Sequence, residues 1–136
     1  MYFKKSLYIG INIANIYLKF GGDLMPCINI KAFESKKSVD AKSLAKEVSK
    51  LSGIDISRVN IIIDYYSEVD FFRSSLDNGP IVFISISEKN GKEIIQKLAN
   101  VVSQLTEKYF SVQENSVAVF CNSVGSGYLL VNNNFK

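Results

Sequence analysis

Met25-Pro26-Cys27-Ile28-Asn29-Ile30 and Pro80-Ile81-Val82-Phe83-Ile84 open two stretches that read alike: a proline, a strand-like run, a helical pattern and a second strand-like run. Moving the first copy by 54 positions lays Pro26 on Pro80, Ile28 on Val82, Ile30 on Ile84, Glu34 on Glu88, Leu44 on Leu98, Ala45 on Ala99 and Val48 on Val102. A unit of that length exceeds the period of solenoid repeats. The expected fold is therefore α+β. Two duplicated βαβ units, residues 26–79 and 80–136, form a four-stranded sheet with two helices on one face.

Working outward, residues 27–33 alternate and are rich in β-formers, so they read as a strand. Ser38 is the expected N-cap of a helix, with Asp40 in its first turn. Ala41, Leu44, Ala45, Val48 and Leu51 share one face of that helix, Lys42, Lys46, Glu47 and Lys50 lie outside, and Gly53 stops it. Residues 59–65 form the next strand, and 67–79 a polar connection ending in the turn Asp77-Asn78-Gly79-Pro80. The second unit runs strand 80–87, helix 91–109 and strand 116–122. Ile94, Leu98, Val101, Val102, Leu105 and Tyr109 make the buried stripe of its helix. Residues 128–131 suggest a small edge strand, followed by an Asn-rich tail with nothing to add to a core.

Strands joined through a helix are parallel with a right-handed crossover. Both helices then cover one sheet face. The open face is expected to expose Ile61, Ile63, Ile84, Ile86, Val117 and Val119, too much apolar surface for a single copy, so oligomerisation is expected.

At 136 residues the chain suits one domain able to bury its own core. Its formal charge is +3, but from Pro26 onward 13 basic residues face 12 acidic ones. That near-neutrality argues against nucleic acid, which needs a concentrated basic face. Cys27 and Cys121 are the only cysteines, and there is no histidine. The two thiols read as small buried residues of a reducing cytoplasm, not as a disulfide framework or a zinc site. Without histidine, any proton transfer needs another base.

Residues 1–24 differ in character. Lys4-Lys5 ahead of Leu7-Tyr8-Ile9-Gly10-Ile11 imitates a signal peptide, but Asn12, Asn15 and Lys19 interrupt the run and no small-residue cleavage site follows. The stretch is too short and polar to span a bilayer. Gly21-Gly22-Asp23 can be encoded by a bacterial ribosome-binding sequence just ahead of Met25. Translation is therefore expected to begin at Met25, the alternative being a real N-terminal extension.

Met25-Pro26 opening a strand, the acidic–small–basic triplet Glu34-Ser35-Lys36, Leu44 and the run Lys46-Glu47-Val48-Ser49 resemble the tautomerase superfamily. That superfamily includes 4-oxalocrotonate tautomerase and macrophage migration inhibitory factor, and the likeness covers Pro26 to about Phe135. Members lose the initiating Met and use the exposed proline nitrogen as catalytic base. The longer members are two fused units that assemble as trimers with a site at each subunit boundary. The resemblance implies Pro26 as the catalytic residue. Lys36 stands where well-studied enzymes carry Arg, keeping the charge without the bidentate fork. The second substrate-binding Arg falls on Asn60, a pocket-closing aromatic on Phe71, and the inhibitory factor's pocket Tyr and Asn on Ala118 and Phe120.

The chemistry holds by itself. A free N-terminal proline is a secondary amine with a reference pKa of roughly 7.7–8.0. Burial among Ile28, Ile61, Phe71 and Phe120 would lower that value and leave a neutral base near pH 7. Lys36, and more weakly Lys31, Arg73 and Lys89, would hold a carboxylate and steady an enolate. The expected function is keto–enol proton transfer on a small carboxylate-bearing substrate by a cytoplasmic homotrimer. No cofactor, metal, nucleic acid or membrane is called for. The alternative is an inactive oligomeric binding protein that keeps the fold.

Overall fold

The computed structural model describes residues 25–35, 38–74 and 79–136. The first unit is β1 (Cys27–Phe33), α1 (Ala41–Ser52), a 3-10 turn at Ile56–Arg58 and β2 (Asn60–Tyr66). The second is β3 (Ile81–Ser87), a 3-10 turn at Glu88–Asn90, α2 (Gly91–Phe110) and β4 (Ala118–Val124). A hairpin of β5 (Leu130–Val131) and β6 (Asn134–Phe135) follows. The main sheet runs β2-β1-β3-β4, parallel within each unit and antiparallel where β1 meets β3.

The duplication is visible in the hydrogen bonding. Asn29, the residue 54 positions before Phe83, pairs with Phe83, and Ile28↔Ile84 and Ile30↔Val82 flank them reciprocally. An approximate two-fold axis therefore passes between Asn29 and Phe83. Equivalent bonds start the outer strands: the Asn60 amide donates to the Pro26 carbonyl at 3.2 Å, the Ala118 amide to the Pro80 carbonyl at 3.3 Å. The offset does not persist. α1 has 12 residues and α2 has 20, so β4 begins at Ala118, 58 positions after Asn60. β4 therefore spans 118–124, not the expected 116–122.

Ile28, Ile30, Val82, Ile84 and Ile86 of the inner strands meet Leu44 and Val48 of α1 and Leu98, Val102 and Leu105 of α2 in one buried core. Each such side chain contributes about 1.5–3 kcal/mol by leaving water. Ile94, Val101 and Tyr109 pack at its margin, whereas Leu51 at the end of α1 is half exposed. Asp40, not Ser38, caps α1. Its backbone is extended, and its carboxylate accepts from the Lys42 amide at 3.2 Å and the Ser43 hydroxyl at 2.6 Å. Gly53 ends the helix at φ 82°, its amide bonded to the Ser49 carbonyl. A residue with a Cβ is disfavoured there.

Six residues expected on the open face lie on the other side. Ile61, Ile63, Val117 and Val119 pack against the core under the helices, and Ile84 and Ile86 are fully buried. In the run Ile61-Ile62-Ile63 the middle residue points out, 51% exposed, because side chains alternate along a strand. The open face carries Phe83 stacked on Phe120, with ring centroids 5.4 Å apart, beside a polar group. In that group Asp64 accepts from Asn29 at 3.0 Å and Lys31 at 2.9 Å, and Lys31 reaches the Tyr66 hydroxyl at 3.2 Å.

The last strand-like run does not join the main sheet. Asn132 and Asn133 take φ values of 52° and 62°, the left-handed pair of a two-residue hairpin turn, and fold Leu130–Val131 back on Asn134–Phe135. The Asn-rich tail is thus half of a hairpin. The cysteines also differ from expectation: Cys27 is partly buried and Cys121 exposed.

Between the helices, the Tyr109 hydroxyl of α2 donates to the Glu47 carboxylate of α1, and Lys108 pairs with the same carboxylate at 3.1 Å. The Tyr109 bond, then Lys108, holds the Glu47 carboxyl below its ordinary range, while Glu47 pushes the Tyr109 phenol up to about 12. A depressed acid stabilises the fold above its unfolded pKa and loses that contribution as pH falls through the folded value. A raised phenol loses its contribution as pH climbs through the folded value. Tyr109→Phe should therefore melt below the wild type at pH 7. In thermal melts across pH the gap should close between about pH 5 and 3, and again from about pH 10 toward 12.

Candidate active site

Pro26 immediately precedes β1 and its ring is fully buried. Its carbonyl is held by both the backbone amide and the side-chain amide of Asn60, at 3.2 and 3.4 Å. Its neighbours Met25 and Cys27 line a cleft of about 560 Å³. α1 contributes Ala41, Lys42 and Ala45 to the walls, and Val59 with the first three residues of β2, Asn60, Ile61 and Ile62, adds the rest of that side. The C-terminal hairpin closes the cleft with Leu129 and Val131.

The bond from the Pro26 nitrogen leads to Met25, and Met25 lies in the cleft wall. Removing Met25 would leave the ring nitrogen facing the space the methionine vacates. Val59, Ile61 and Ile62 line the same cleft as Met25. Of the residues expected around the nitrogen, Ile61 lines this cleft. Phe71 belongs elsewhere: it stacks on Phe33 at 4.3 Å and meets Tyr66 edge-on at 5.9 Å. Phe33 closes a seven-residue strand, so these rings sit roughly 20 Å from Pro26 at about 3.3 Å per residue.

The candidate residues thus divide between the two ends of the sheet. Asn60 touches Pro26, and Lys89 follows β3 at the end where Ser85 pairs with Cys27. At the opposite end, Lys31 is paired with Asp64, and Arg73 bridges the carbonyls of Gly79 at 2.8 Å and Ser116 at 2.5 Å. Phe120 lies between, on the open face against Phe83. Lys36 lies outside the described residues. Lys42, assigned by helical periodicity to the outer face of α1, is the residue that reading missed. It is the one charged side chain among the described residues lining the cleft. Its position came from how α1 lies over the β2 edge, which no local pattern encodes.

Among the described residues no helix is long and apolar enough to cross a membrane, and no group of His, Cys, Asp and Glu could hold a metal ion.

No protein-family model and no curated protein sequence matches the chain. Solved structures do. A wild-type fused 4-OT, a symmetric trimer, is 16% identical with a TM-score of 0.67, over 79% of this chain and 92% of that one. Pt0534 inactivated by 2-oxo-3-pentynoate is 13% identical, with a TM-score of 0.65 over 77% of this chain and 90% of that one. The macrophage migration inhibitory factor of Giardia lamblia is 19% identical, with a TM-score of 0.54 over 73% of this chain and 99% of that one. At these identities the likeness is one of fold. The chain has the fold of the tautomerase superfamily, in the form that joins two βαβ units in one polypeptide.

Proposed function

We propose that the protein beginning at Pro26 is a tautomerase-like enzyme whose ring nitrogen moves a proton between carbon and oxygen of a small α-keto or enol acid. One observation carries the reading: Met25 lines a cleft whose walls are apolar apart from one cation and one amide. Apolar walls disfavour the ammonium form and keep the amine a base near neutrality. A nearby cation holds the carboxylate and steadies the enolate. Lys36, by the resemblance, also serves the carboxylate.

Within one copy Lys31, Phe71 and Arg73 are far from Pro26, so they join its site only if a second copy brings its opposite sheet end alongside. A homotrimer with sites at the boundaries meets that need, and the trimeric assembly named for fused 4-OT supports it. On this reading residues 1–25 are absent from the mature protein, a point the intact mass from the native host would test.

The test is keto–enol turnover of phenylpyruvate by protein starting at Pro26 against its Pro26→Ala variant. Equal rates would reject the proline base. A second reading, an inactive binding protein, draws on Asn60, whose side chain is committed to the Pro26 and Arg58 carbonyls. Intact oligomers without turnover would favour it.

A further inference from the structure

We infer that Lys42 is the cation that fixes the substrate carboxylate in the Pro26 cleft, and that the substrate is a monocarboxylate with an apolar body. The inference rests on the cleft being the substrate site and adds which residue holds the acid and what class of acid fits.

Lys42, in the first turn of α1, is among the residues that line the cleft. The nearest acid in sequence, Asp40, does not need its ammonium. The Asp40 carboxylate is already engaged by the Ser43 hydroxyl and the Lys42 backbone amide, which, with Ser43 the larger influence, hold it below its ordinary range, and the Lys42 charge adds only the smallest pull. Among the described residues the Lys42 ammonium has no hydrogen-bond or ion-pair partner, whereas Lys31 and Lys108 are each paired with an acid. An anion in the cleft therefore meets an ammonium whose hydrogen-bonding positions are open and which exerts only a weak through-space pull on Asp40.

The remaining surface decides the substrate's other end. Ala45, Val59, Ile61, Ile62, Leu129 and Val131 offer hydrocarbon, and Asn60 one amide. A second carboxylate would lose its water against those walls, a costly outcome, because no second cation among the described residues lines the cleft, and the Lys31 and Arg73 that a neighbouring copy would bring are already held by Asp64 and by the Gly79 and Ser116 carbonyls. An aryl or branched alkyl group would be well accommodated, and a cleft of about 560 Å³ suits a ligand of that size.

The experiment uses protein starting at Pro26 and the unreactive probe 3-phenylpropionate, followed by NMR shifts of the Asn60 side-chain amide. Lys42→Gln is expected to weaken binding about ten- to a hundredfold, and Lys42→Arg to restore most of it. The neutral amide of the same probe should bind wild type and Lys42→Gln alike, and phenylsuccinate no tighter than phenylpropionate. With phenylpyruvate as substrate, Lys42→Gln should raise KM more than it lowers kcat. Unchanged probe affinity in Lys42→Gln would overturn the inference. So would the whole loss appearing in Lys36→Gln, or tighter binding of the dicarboxylate. Binding is read without turnover, so a Pro26→Ala variant as active as wild type would reject the proline base while leaving the carboxylate measurement to judge Lys42.

Discussion

Protein that retains Met25 or the residues before it is expected to turn over phenylpyruvate at least about 100-fold more slowly than protein beginning at Pro26. Position-matched general base catalysis contributes about 10²–10⁴-fold, and an amide nitrogen has no lone pair to offer. Pro26→Ala should fall in the same range, because a primary amine on a free backbone lacks the ring that holds the nitrogen in the cleft wall. Lowering the pH should remove activity as the amine gains a proton, with a midpoint below the roughly 7.7–8.0 of an exposed α-amine. The measurement is initial rate against pH for three proteins: starting at Pro26, starting at Met25 with the methionine retained, and Pro26→Ala. Similar rates in all three would place the chemistry somewhere other than this nitrogen.

Gly79→Ala should destabilise the fold by about 2–3 kcal/mol, a loss of roughly 8 °C in melting temperature. A Cβ at Gly79 would sit 2.2 Å from the Ser116 carbonyl oxygen and 2.7 Å from its carbon. That contact is backbone, with no flexible side chain to yield. The approach is close because the Arg73 guanidinium bonds both carbonyls at once, tying the entrance of β3 to the entrance of β4. The Ala118 amide bond to the Pro80 carbonyl adjoins the same place. Thermal and urea denaturation would measure the loss, and a melting temperature within about 2 °C of wild type would show that the two loops part freely. The same geometry gives Arg73 a structural use in the single chain.

The doubled architecture was legible because its signals are local. Alternation in residues 27–33, the 3.6-residue spacing of Leu44 and Val48, and Gly53 as a stop each depend on a few neighbouring residues. Three things were less legible, each for its own reason. Ser38 and Asp40 are both good caps, and only the position where the first free amide falls chooses between them. Asn132-Asn133 is a turn signal, but a tail of three asparagines reads as coil until its flanks are seen to pair. The triple isoleucine of β2 admits either face, since shifting a strand by one residue exchanges its sides.

By itself the sequence determined that there would be two βαβ units, that each would open with a proline, and that helices would cover one face of a sheet. The tertiary structure decided what could not be read from neighbours along the chain. It set the antiparallel meeting of β1 and β3 that puts Gly79, and with it Arg73, at the end away from Pro26, and it laid α1 so that Lys42 borders the Pro26 cleft. The reason is one of range. Strand and helix periods arise from steric and solvation preferences acting over a few residues, whereas strand register and helix placement minimise the free energy of contacts between segments about 30 to 60 residues apart.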